Sequence, residues 1–141
     1  MNAIRKLTTI SLFLAVVTLG SQGWAATVNL SLMAAKEAPG ANGTAVLSES
    51  SLSVQAKGLK PNAVYTVWFV NMKPAKEEAG AGKAPYMFKT DAAGNGRYES
   101  AISGSQFGKW AMIMIVRHPT GDPMDTKNMV PALSAEIPKG K

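Results

Sequence analysis

Apolar positions along the chain fall into one nearly unbroken run, Leu7 to Leu19, and then into short stretches where apolar and polar residues roughly alternate. Alternation with a period of two is the pattern of a strand with one side against a core and the other against water. Val28, Leu30 and Leu32 alternate with Asn29, Ser31 and Met33 and predict a first strand. Ala45 to Leu47 predicts a short second strand. Leu52, Val54 and Ala56, interleaved with Ser51, Ser53, Gln55 and Lys57, predict a third that stops at Gly58. Beyond the turn residues Lys60, Pro61 and Asn62, the run Val64 to Val70 is rich in β-branched and aromatic residues. Further strands are predicted at Tyr86 to Thr90, Arg97 to Ile102, Trp110 to Val116 and Leu133 to Ile137. This spacing predicts an all-β fold, an antiparallel immunoglobulin-like sandwich of about seven or eight strands.

Two segments fix local expectations. Thr90-Asp91-Ala92-Ala93-Gly94-Asn95-Gly96 reads as a hairpin connection, because asparagine and glycine accept the positive φ of tight reversals, so strands 86–90 and 97–102 are expected to be antiparallel neighbours. Ala75 to Ala81 has helix-forming composition but is short and lies between Pro74 and Gly82, and it reads as a loop with at most one helical turn.

Two of the predicted strands are apolar on both sides. Tyr65, Val67 and Phe69 oppose Val64, Trp68 and Val70, while Ala111, Ile113 and Ile115 oppose Trp110, Met112, Met114 and Val116. A strand of this kind needs a second cover beyond the core. Either the loops 71–85 and 117–132 fold back over the sheet, or an exposed apolar patch serves a homo-oligomer or another partner.

The long apolar run changes the setting of the fold. Arg5 and Lys6 precede it and small residues follow at Gly23 and Ala25, which is the order of a secretory signal peptide cleaved after Ala25. About 13 apolar-dominated residues fall short of the roughly 20 that a spanning helix needs. The expected organisation is a signal peptide over 1–25 and a single β-sandwich domain over 26–141, periplasmic or secreted, with no integral membrane segment after cleavage. The chain has no cysteine, so disulfides, thiolate metal sites and cysteine nucleophiles are excluded. Without Arg5 and Lys6, 13 of the 15 basic residues remain against 9 acidic ones, a net charge of about +4. Those charges are scattered single lysines with no dense run, which argues against a nucleic-acid partner.

A resemblance follows from the turn and core residues. Gly58-Leu59-Lys60-Pro61, then Tyr65-Thr66-Val67-Trp68-Phe69-Val70, then Phe88-Lys89-Thr90-Asp91 with Gly94 and Gly96, then Trp110 to Val116, together resemble the extracytoplasmic sandwich domain of anti-sigma-K-type regulators. The likeness runs from Leu52 to Pro131 and implies a fold. The sigma-binding helices and membrane span of that family have no counterpart in this sequence, so the resemblance does not imply anti-sigma activity.

Candidate chemistry is sparse. The segment from Arg117 to Pro131 holds the only histidine, His118, with Asp122, Asp125, Met124 and Met129, and three prolines stiffen it. Imidazole with thioethers suits copper, above all Cu(I), and Met112 and Met114 stand just upstream as further sulfur donors. Calcium on Asp122 and Asp125, or a purely structural loop, are the other readings. Methionine is also an ordinary packing residue. For catalysis, no nucleophile elbow accompanies the serines. Adjacent Glu77 and Glu78 point apart on most backbones, and Glu49, Glu99 and Glu136 read as solvent-facing unless the fold gathers them. Gly80-Ala81-Gly82-Lys83 lacks the length and hydroxyl residue of a phosphate loop. The expectation is a non-enzymatic binding or structural module of the cell envelope without a required cofactor. Its partner surface would comprise Trp68, Trp110, Met112 and Met114 with the 117–131 loop. The alternative is a periplasmic copper-binding protein using His118, Met124 and Met129.

Overall fold

The alternation becomes inward and outward side chains. In β1 (Thr27–Ala34), Leu30 and Leu32 are buried while Asn29, Ser31 and Met33 face out. In β2 (Asn42–Ser48) Ala45 and Leu47 are buried, and in β3 (Ser51–Lys57) Leu52, Val54 and Ala56 are. The computed structural model describes residues 27–139, and the signal segment expected over 1–25 lies outside the described residues. The remaining elements are β4 (Val64–Asn71), β5 (Glu77–Gly80), β6 (Met87–Lys89), β7 (Gly96–Ala101), β8 (Met112–His118) and β9 (Val130–Glu136). The fold is all-β and every pairing is antiparallel. Among the described residues no helix is long and apolar enough to cross a membrane.

The strands run in the order β5-β4-β8-β9-β1-β2-β3-β7, with β6 on the same edge of β4 as β5. The curl of this sheet passes through β1, whose residues Thr27 to Leu32 pair with β2 while Met33 and Ala34 pair with β9. One core fills the curl. Leu47, Leu52 and Val54 come to it from one half and Tyr65, Val67, Ile113, Ile115 and Leu133 from the other, all with at most 1 % of their surface exposed.

Three expectations are corrected. Residues 77–80 form a strand where composition suggests a loop or helical turn. β6 covers only Val64 to Thr66 of the β4 edge, and Trp68 to Asn71 take Glu77 to Gly80 as their partner, so the open ladder outweighs a weak local helix preference. The turn at 90–96 does form, with Asp91 N donating to Asn95 O at 2.9 Å and Gly94 at φ +81°, but the strands on either side of it are not ladder partners. β6 pairs with β4 and β7 with β3. The Phe88 ring occupies the space a Cβ would need at Gly96, wedging the two backbones apart and leaning on Tyr98 at 6.4 Å between centroids. Finally, β8 begins at Met112 and not at Trp110.

The turns carrying the resemblance lock onto each other. Leu59 N donates to Gly94 O (3.1 Å), Asn62 N to Asp91 O (3.1 Å), and Thr90 N to Ala63 O (2.9 Å). The buried Thr90 hydroxyl donates to Lys60 O (2.5 Å) and accepts from Ala63 N (2.9 Å), and the Tyr65 hydroxyl accepts from Lys60 N (3.0 Å). Burial pushes the Tyr65 hydroxyl above its ordinary pKa. Asp91 tightens the turn by accepting from Asn95 N and Ala93 N, which holds its carboxyl below the usual carboxylate range.

Candidate functional site

The outward side of β4, β8 and β9 is where apolar residues on both sides of a strand must be accounted for. Directly opposed residues of an antiparallel pair share a side, and the register therefore lays out rows. One row reads Gly80, Trp68, Met114, Ser134 and Met33 across β5, β4, β8, β9 and β1. The next reads Glu78, Val70, Met112 and Glu136. On the other flank, Met87, Thr66 and Val116 align, followed by Val64 and His118.

One end of this side is closed. Thr66, Val116 and His118 are buried, His118 with 2 % of its surface exposed. Trp68 Nε1 donates to Thr66 Oγ1 at 2.7 Å, Thr66 Oγ1 lies 2.6 Å from His118 Nε2, and His118 Nδ1 lies 3.2 Å from the carbonyl oxygen of Asp125. A carbonyl only accepts, so the network assigns a ring proton to Nδ1, and Nε2 pairs with the Thr66 hydroxyl. Every polar atom of the chain from Trp68 to Asp125 has its partner.

The loop that supplies the Asp125 carbonyl is wound around that residue's own carboxylate. Asn128 Nδ2 and Thr120 Oγ1 both donate to Oδ2 at 3.0 Å, and Lys127 N donates to Oδ1 at 3.1 Å. These donors, Asn128 first, hold the Asp125 carboxyl below the usual carboxylate range. Asp122 accepts from Met124 N at 2.9 Å, which closes a neighbouring turn. The peculiar composition of 117–131 thus corresponds to a loop that ties itself together and then caps the sheet.

The other end is only partly covered, with Val70 buried there and its neighbours less so. Trp68 is half-buried, tilted against Tyr86 at 5.6 Å between centroids, and Met112 and Met114 are half-buried beside it. Met33 is 67 % exposed. The residues expected to form a partner surface are thus divided. Trp68, Met112 and Met114 share this side, whereas Trp110 turns toward the core and stacks on Phe69 at 6.2 Å.

The residues expected to ligate metal do not gather around His118 as free donors. Both ring nitrogens of His118 are engaged within the protein, Met124 is 68 % exposed on the loop, and Met129 is half-buried before β9. Glu99 faces out from β7 beside Arg97 at 3.5 Å, Glu136 faces out from β9 four strand positions away, and Glu49 sits in the β2–β3 turn, so the three carboxylates are dispersed.

No protein-family model, curated protein or solved structure matches this chain. Two residues of the site were not singled out by sequence. Thr66 is the one hydroxyl on an otherwise apolar strand side, and that isolation is the signal that it meets a buried partner. Met33 occupies an outward position among Asn29 and Ser31, a thioether where the pattern calls for a polar group.

Proposed function

We propose that the protein is a periplasmic or secreted, non-enzymatic binding module of the cell envelope, and that its binding surface is the open end of the outward side of β4, β8, β9 and the end of β1. The observation that carries this reading is the row Trp68, Met114, Ser134 and Met33, an apolar stripe left partly open although the same side is capped a few residues away. The outward side of β2, β3 and β7 supplies the contrast, since there Thr44, Ser53, Gln55, Arg97 and Glu99 surround a single half-buried Val46. Rigid tryptophan beside adaptable methionine is a composition suited to recognition. The signal-like residues 1–25 support the location, and the likeness to anti-sigma-K-type domains supports a fold-level kinship through turn residues only. Trp110 is left out of the surface.

The test places a photoreactive amino acid at Ser134, and in a second variant at Ser53, and irradiates the source cells. Adducts from Ser134 that are absent from Ser53 are expected, their mass separating a second copy from another envelope protein. Identical adduct patterns from the two positions would remove the reading.

A further inference from the structure

None of the seven methionines among the described residues belongs to the buried core, which is built from leucine, isoleucine, valine, alanine, phenylalanine and tyrosine. The large hydrophobic side chains left exposed are Met33, Met72 and Met124, and Met87, Met112, Met114 and Met129 are half-buried. Methionine that merely fills gaps belongs inside. Here its place on the surface calls for a role that leucine would not fill, and the thioether is what distinguishes the two.

Three of these thioethers are placed on one side of the sheet by register. Met112 and Met114 stand two residues apart on the same side of β8, about 7 Å along the strand. Met33 is opposite Ser134, which is opposite Met114, so Met33 and Met114 lie two strand spacings apart, about 10 Å, with only the small serine between them. Unbranched side chains with three rotatable bonds bridge such gaps from both sides. Trp68 flanks the group directly across from Met114, its indole face able to attract a cation, and Glu136 stands across from Met112 with a compensating negative charge.

We propose that Met33, Met112 and Met114 form a thioether site for a soft monovalent cation, Cu(I), beside Trp68. Thioethers select Cu(I) over harder divalent ions, and no cysteine in the chain competes for it. The site does not use His118, whose ring nitrogens hold the cap in place. The inference rests on the reading of this side as a binding surface and adds a metal ion to what that surface holds; it involves binding alone and no change of oxidation state.

The experiment titrates the mature protein with Cu(I) under anaerobic conditions against bathocuproine disulfonate, a chromophoric chelator, with Ag(I) as a redox-inert parallel and Zn(II) as the hard comparison. Retention of a single Cu(I) per chain is expected, with no retention of Zn(II), and in a Trp110→Phe background the ion should quench the fluorescence of Trp68. The paired substitution Met112→Leu with Met114→Leu keeps an apolar surface of similar shape while removing two sulfurs, and it should abolish retention without changing the circular dichroism spectrum. Failure of the wild-type protein to hold Cu(I), retention by the leucine variant, or binding that leaves Trp68 fluorescence unchanged would each overturn the site. Because the leucine variant preserves the apolar stripe, cross-linking from Ser134 that persists in it would leave the binding surface standing while the thioether site falls.

Discussion

The closed and open ends of one sheet side are built on the same strands and differ in what completes them. At the closed end β4 and β8 contribute Thr66 and His118, and the cap comes from within the chain through the Asp125 carbonyl. At the open end the same two strands contribute Trp68, Met112 and Met114, and the half-covered surface extends to the exposed Met33. The difference teaches that apolar residues on both sides of a strand are not a single signal. They mark a self-made cap in one place and a half-covered surface a few ångströms away.

The largest effect that would break this comparison is expected at His118. His118→Ala removes a buried ring and takes from the Thr66 hydroxyl and the Asp125 carbonyl the partner each has in that ring, at a cost of about 2–4 kcal/mol in urea unfolding. A change below about 0.5 kcal/mol, the range of ordinary surface substitutions, would mean that the cap is not structural. Thr66→Val comes next at about 1–3 kcal/mol, because it orphans His118 Nε2 and the Trp68 indole N–H. Adding His118→Leu to that variant should cost less than the sum of the single changes, which a double-mutant cycle would read as coupling. At the open end Met114→Ser should cost no more than about 1 kcal/mol, and Met33→Ser should stay within about 0.5 kcal/mol. A large loss of stability at Met33 would show that the open end belongs to the fold's own packing.

The smallest expected effect is a pH dependence of the cap. The folded-state carboxyl of Asp125 is held below its unfolded value, so its contribution is present above the unfolded pKa and is lost as pH falls through the lower, folded one. Amide exchange at Lys127, whose N–H donates to that carboxylate, should quicken relative to its intrinsic rate at acid pH in the wild-type protein. In Asp125→Asn it should already be fast at neutral pH and show no such acid step beyond intrinsic exchange. Indistinguishable profiles would separate the loop's order from this carboxylate.

Alternation made most strands legible from the sequence, since Leu30 and Leu32, Leu52 and Val54, and Tyr65 and Val67 carry their inward direction in their spacing. Glu77 to Gly80 was not legible, because its residues favour a helix and only the unpaired upper edge of β4 makes them a strand. The turn at 90–96 was legible as a turn and not as a parting of ways, since Phe88 wedging against Gly96 is a tertiary contact. Trp110 looked like the next outward position of β8, but the strand begins two residues later and the ring meets Phe69. Half of the candidate surface was thus readable as a pattern. The rest depended on Thr66 meeting His118 across 52 residues and on Met33 arriving beside β9, facts of closure that no local window contains.

The handover of β1 from β2 to β9 joins the two ends of the described chain, Met33 to Ser134 and Ala34 to Leu133. A ribosome or export channel delivers the chain from its N-terminus, so β1 emerges long before β9, its partner across this seam. Closure across roughly 100 residues adds an entropic toll late in folding. Until then, the outward stripe at Met33 is incomplete. Any ligand that needs Met33 and Met114 together therefore requires this seam to be closed, and occupancy of the stripe reports on the pairing of β1 with β9.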